Sequence, residues 1–224
     1  MNEIDPTFQN TTVRLFPLPN VVLFPGAVLP LHIFEQRYKE MTRDALGDNK
    51  VIAMALLKPG WEKNYYQRPA IEPVVCIGKI LASEKLDDST YNFLLQGMQR
   101  ARIVGEREGR PYRLAEVAPI TETPVMEIDL QGERQRIHDI FARRGWGQIG
   151  VGKQFLEMLN SAVSTAQIAD LIAFNFLDDI SLKQSLLADG DIRRRVSLTI
   201  DAMQRTNPAP VEARGRVDQD PSLN

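Results

Sequence analysis

Apolar residues between positions 11 and 120 fall in short runs broken by Pro, Gly and Asp, whereas between 124 and 206 they recur at helical spacing. The pattern predicts a β-rich first lobe and a helical second one. The most constrained stretch runs from Arg14 to Tyr38, where Pro17, Pro19, Pro25 and Pro30 forbid a continuous helix. Each lacks a backbone donor and biases its predecessor toward extended geometry. Phe24-Pro25-Gly26 is its sharpest corner, because Pro presets one central φ and Gly accepts the positive φ of a type II turn. Short strands are expected on either side, over residues 21–24 and 27–33.

A short helix follows over 35–46, with Phe34, Tyr38, Met41 and Ala45 on one face and Gly47 as its C-terminal cap. The apolar run 51–57 reads as a buried strand ending at the turn signal Lys58-Pro59-Gly60. Strands over 74–83 and 90–97 form a hairpin around Leu86-Asp87-Asp88-Ser89, and strands over 100–104 and 112–120 complete a small closed or partly open barrel. Gly97, inside a strand pattern, predicts a bulge or a close backbone approach. Past Thr121-Glu122-Thr123-Pro124 the period becomes helical, first over 126–144. Ser164 and Gln167 make a capping box for a helix over 166–176, Ser181 and Gln184 repeat it, and Asp191 caps a last helix with Ile192, Val196, Thr199 and Met203 inward. The expected organisation is a flexible lead over 1–10, a β lobe over 11–120, a helical bundle over 124–206 and a disordered tail over 207–224, an α+β fold.

Composition changes this picture little: 224 residues with 43% hydrophobic and 25% charged side chains describe an ordinary soluble globular protein. The formal net charge of −2 excludes the broad basic footprint of non-specific nucleic-acid binding. The single Cys76 lies in an apolar run and reads as a buried free thiol, in keeping with a reducing cytoplasm. The N-terminus shows no basic segment followed by an apolar one, and the longest apolar stretch, 21–34, is too short to span a bilayer, so neither a signal peptide nor a membrane partner is expected.

Candidate chemistry is sparse. Gly147-Gln148-Ile149-Gly150-Val151-Gly152-Lys153 has the glycine and lysine spacing of a phosphate-binding loop. Gln154 stands where a hydroxyl would reach Mg²⁺, and helix rather than strand precedes the glycines, so the stretch reads as a flexible link between helices. His32 and His138 lie far apart, and no Cys/His pair has metal-ligand spacing. Asp87-Asp88 and Asp178-Asp179 sit at turns, where Asp is favoured for local hydrogen bonding. No catalytic residue, metal or cofactor is expected. The loop 61–73 carries Trp61, Tyr65 and Tyr66 without a period; these rings are either a contact surface or local packing over the sheet.

Phe16-Pro17-Leu18, Val22, Phe24-Pro25-Gly26, Pro30-Leu31, Ile33-Phe34-Glu35 and Arg37-Tyr38 together resemble the opening of the Lon protease N-terminal domain, a PUA-like β fold followed by helices. The similarity continues at Gly78, at Thr90 to Gly97 and Arg100 to Val104, and in the helical half at Ala169-Asp170, Lys183 to Leu187 and Arg195. The motif residues Pro25, Gly26, Leu31, Phe34, Arg37, Gly97, Gln184 and Arg195 are thereby expected to be structural, Arg195 and Arg37 as ion pairs. The resemblance implies a non-catalytic module that recognises exposed hydrophobic segments of unfolded or damaged proteins, with an ATP-dependent protease or chaperone as its partner. Nothing in the chain resembles the ATPase or the Ser-Lys peptidase of a full Lon protease. Trp61, Tyr65 and Tyr66 are the peptide-binding candidates on their chemistry alone, since their loop falls between the matched segments. RNA binding is the alternative, because PUA-like folds include RNA-modification partners; the acidic balance weighs against nucleic acid.

Overall fold

A computed structural model describes residues 11–87, 89–148 and 150–205. The lead expected over 1–10, Asp88 and the tail expected over 207–224 lie outside the described residues. The chain divides between Thr121 and Glu122 into two compact units, the first β-rich and the second helical.

In the first unit, strands β1 (Thr11–Leu18), β2 (Val28–Ile33), β3 (Val51–Leu56), β4 (Val74–Lys85), β5 (Tyr91–Arg107) and β6 (Arg113–Pro119) form one sheet in the order β2-β5-β4-β3-β1-β6. Further pairing of β5 with β6 closes the last five into a barrel. Only β1 and β3 run parallel among the paired strands. Such a pair needs a crossover, here supplied by β2 and the helix α1 (Gln36–Leu46). Alternation along β1 sends Val13 and Leu15 into a core with Val51, Ala53, Ala55, Val75, Ile77, Ala101, Ala115 and Val117. The many alanines suit the narrow interior of a small barrel. On the other face Phe16 meets Tyr38 of α1 with ring centroids 4.6 Å apart.

Residues 21–24 are buried, as strand residues would be, yet they join no ladder. The reason is the corner that follows. The Ala27 amide donates to the Phe24 carbonyl at 3.1 Å, and Gly26 has φ of 81°, as the predicted type II turn requires. The turn is seated on β5: the Gly26 amide donates to the Gly97 carbonyl and the Gly97 amide to the Ala27 carbonyl, both at 2.8 Å. A Cβ on Gly97 would stand 2.1 Å from the Phe24 carbonyl oxygen, the close approach expected of this glycine. The segment 21–24 thus serves as a plug held by its turn rather than as a strand.

The second unit contains α2 (Gln131–Arg144), α3 (Val151–Leu159), α4 (Thr165–Phe176), α5 (Ile180–Ala188) and α6 (Ile192–Arg205). Residues expected to begin one long helix at 126 instead make a 3₁₀ turn, Glu127–Leu130, before α2. Phe141, Trp146, Phe155 and Phe176 form an aromatic cluster, with centroids 5.0 to 5.8 Å apart, inside a core that α4 and α6 complete. Ser164 caps α4 by accepting from the Gln167 amide at 3.2 Å. The cap of α5 is Asp179, which accepts from the Leu182 amide at 2.9 Å, and not the expected Ser181. A carboxylate at this position satisfies an orphan donor and also complements the helix dipole.

The phosphate-loop spacing has a packing origin. Trp146–Gln148 is a 3₁₀ turn and α3 begins at Val151; Ile149, between them, lies outside the described residues. A Cβ on Gly152 would lie 1.6 Å from the Trp146 carbonyl oxygen, and one on Gly147 would lie 2.0 Å from Leu156 Cδ1. These glycines bring the turn against α3.

Candidate functional site

Glu35, the residue before α1, organises one wall of a cleft in the β-rich unit. Its carboxylate accepts a hydrogen bond from the Tyr65 hydroxyl at 2.5 Å and from Arg37 Nε at 3.0 Å. The Arg37 guanidinium lies 4.6 Å from the Tyr38 ring centroid and 4.8 Å from that of Tyr65, a double cation–π arrangement. The start of α1 therefore fixes the middle of the loop that follows β3. Its far end is fixed from β6: Arg113 donates from Nη1 to the Pro69 carbonyl at 2.6 Å and from Nε to Glu106 at 2.9 Å.

Between these anchors lies a cleft of about 300 Å³. The buried Pro17, Tyr38 and Leu57 form its floor, and the more exposed Tyr66, Arg68 and Arg110 stand at its rim. Burial, then the hydrogen bond to Glu35, pushes the Tyr65 hydroxyl up to about 12, since both favour the neutral phenol. Burial likewise raises Tyr38 and, together with a 2.8 Å hydrogen bond to Asp44, Tyr112. For Arg37 burial acts downward but Tyr38, Glu35 and Tyr65 more than offset it, so the guanidinium remains charged. The arrangement can bind, stack and pair.

The sequence-derived candidates fall in different places. Tyr65 and Tyr66 line the cleft, while Trp61 meets Tyr65 edge-on at 5.5 Å from behind and lines none of it. Tyr66 is 78% exposed and touches Tyr65 edge-on, whereas Tyr65 is partly buried and tethered. Of the eight motif residues expected to be structural, Arg37 lines the cleft. Pro25 and Gly26 make the turn seated on Gly97, and Leu31 is buried in β2. Phe34 stacks 6.1 Å from His32, and Gln184 is buried in α5. Arg195, 2% exposed, donates to Asp170 at 3.2 Å and the Asp189 carbonyl at 2.9 Å, and pairs with Glu122 at 2.7 Å. Sequence reasoning missed Glu35 and Glu106 as organisers and Arg68, Arg110, Tyr112 and Arg113 as lining, because loops distant in the chain bring them together. Among the described residues no three His, Cys, Asp or Glu side chains could hold a metal ion, and no helix is long and apolar enough to cross a membrane.

Residues 12–205 match the family model described as the ATP-dependent protease La (LON) substrate-binding domain. The chain belongs to this family. The Lon proteases of Desulfosudis oleivorans and Dictyoglomus thermophilum are 25% and 26% identical to it over 185 residues each. Those matches cover 83% and 81% of this chain but 23% of either relative, so the chain spans about a quarter of the length of these proteases. Among solved structures, the N-terminal domain of a Mycobacterium avium complex Lon protease superposes with a TM-score of 0.69 at 15% identity, covering 88% of this chain and all of that one. A Lon N-terminal domain protein from Xanthomonas campestris gives 0.61 at 21% identity, over 85% of this chain and 98% of that one. Both share the fold.

Proposed function

We propose that this chain captures exposed apolar segments of unfolded or damaged polypeptides on behalf of an ATP-dependent protease, in the cytoplasm and without catalysing a reaction itself. The observation that carries the reading is Tyr66: a ring 78% exposed, next to a cleft with an apolar floor, on a loop pinned to either side of it. An exposed aromatic beside a concavity, on a backbone anchored to either side of it, contributes large contact area on binding. Apolar burial is non-directional, which suits a site that must accept many sequences.

The test is fluorescence anisotropy with a labelled, reduced and alkylated protein that cannot refold. Tyr66→Ala is expected to weaken binding at least about tenfold, since an anchoring ring is typically worth over 1 kcal/mol. Its melting temperature should stay within about 3 °C of wild type, because the ring packs on little. Unchanged affinity would move the site away from this cleft. Tyr65→Ala is the less clean variant, as it also strips Glu35 and Arg37 of a partner. A tyrosine and arginine surface also suits a stacked base, so RNA binding stands as the second reading.

A further inference from the structure

The rim of the cleft carries more guanidinium than the carboxylates around it can engage. Glu106 is gripped through both oxygens by the buried Arg113, so that Arg68 reaches it only at 3.8 Å. Asp44 accepts from the Tyr112 hydroxyl at 2.8 Å and has Arg43 at 3.7 Å, which leaves Arg110 at 3.4 Å from it. Glu35 is shared between Arg37 and Tyr65. Arg68 and Arg110 are 41% and 52% exposed, and neither donates a hydrogen bond to a described residue. Both line the same cleft as the Tyr66 ring. In a chain of net charge −2 this is a local cationic rim around an aromatic and proline-lined hollow.

We infer that the cleft selects segments in which an aromatic side chain lies within a residue or two of Asp or Glu: the ring enters the hollow and the carboxylate takes the forks of Arg68 and Arg110. This rests on the capture reading above and names the substrate class for it. A guanidinium with an already engaged partner can turn to a new carboxylate at small cost, and planar forks pair with carboxylates in two-point fashion. At about 300 Å³ the hollow sits at the small end of ligand pockets, suited to one or two side chains rather than a wrapped chain. Complementary charge around an apolar contact supplies selectivity and association rate more than raw affinity.

The experiment uses two fluorescein-labelled peptides of about 12 residues, identical in a Phe-Leu-Phe centre. One is flanked by Asp and Glu, the other by the isosteric Asn and Gln. Wild-type chain at low ionic strength is expected to bind the acidic peptide about fivefold more tightly. That ratio should fall toward one at about 0.5 M salt and in the Arg68→Gln, Arg110→Gln double variant. Equal binding of the two peptides, or a ratio the double variant leaves unchanged, overturns the inference. Should the neutral peptide still bind wild type and lose affinity in Tyr66→Ala, the capture reading survives that result. Failure of wild type to bind either peptide overturns both. Displacement of the acidic peptide by an equal concentration of a uridine oligonucleotide of similar length would make the occupant a nucleic acid and likewise overturn it.

Discussion

Glu35 holds the Tyr65 hydroxyl and the Arg37 guanidinium at once, and its charge has a consequence for titration. Tyr65 is raised to about 12 in the folded chain, against about 10 for an exposed tyrosine. A group whose folded value is raised adds stability that is fully present below the unfolded value and is lost as pH rises through the folded one. The chain should therefore lose stability between about pH 10 and 12, and not in the acid range, on account of this residue. Ultraviolet titration of the five tyrosines should show Tyr65 ionising late with Tyr38 and Tyr112, and Glu35→Gln should move part of that late absorbance back toward 10, the part a Tyr65→Phe variant lacks. A Tyr65 signal unmoved by Glu35→Gln would leave burial as the only cause. Gly97→Ala makes a second residue-scale prediction. The added methyl would meet the Phe24 carbonyl backbone at 2.1 Å, which no rotamer can relieve, so the corner must lift off β5. A loss of about 3 kcal/mol in denaturant unfolding is expected, at the top of the usual overpacking range; a loss below about 1 kcal/mol would show that the turn can slide.

Element ends separate what the sequence disclosed from what it did not. Ser164 and Asp191 were legible as caps because the capping signal is local, and both accept from the amide three residues on. At α5 two polar candidates lay two residues apart, and the pattern alone favoured Ser181 over Asp179. Asp179→Ala should cost about 1 kcal/mol of stability and Ser181→Ala much less, a difference that thermal melts resolve. Equal effects would mean that the Asp179 contact contributes nothing. Arg134 was illegible altogether: from α2 it donates to the Leu159, Met158, Ser161 and Val163 carbonyls, at 2.8 to 3.0 Å, and so closes the end of α3. Nothing in a single helix pattern marks a residue whose role is to cap another helix. The barrel was visible for the opposite reason: its strands are apolar runs bounded by turn residues, and Gly97 could be read as a close approach before the partner was known. The cleft lies between, since its aromatics stood out in the sequence while two of the arginines that join them, Arg110 and Arg113, lie over forty residues away.

Across the whole molecule, net charge separates the outcomes expected of the two binding readings. A chain of net charge −2 and pI near 5.8 repels a polyphosphate at long range, and the rim arginines Arg68 and Arg110 are too few to reverse that. Each phosphate neutralised contributes to a steep salt dependence, so a surface that engages one or two phosphates has neither tight binding nor a steep slope. For a single-stranded RNA of about 20 nucleotides the expected dissociation constant is weaker than about 100 µM at physiological salt, and the logarithmic salt slope no steeper than about −2. On the proposed capture reading an unfolded polypeptide meets a different balance: apolar contacts with Tyr66 and the cleft floor would be largely indifferent to salt, and only the pairing of its acidic residues with the rim would be screened. Capture of such a client should therefore persist at about 0.5 M salt, reduced only by the few-fold share of the rim arginines. Titrating both ligands across the same salt series measures the two slopes side by side. Sub-micromolar RNA affinity at physiological salt, with client binding abolished by the same salt, would reverse the assignment and make the cleft a nucleic-acid site.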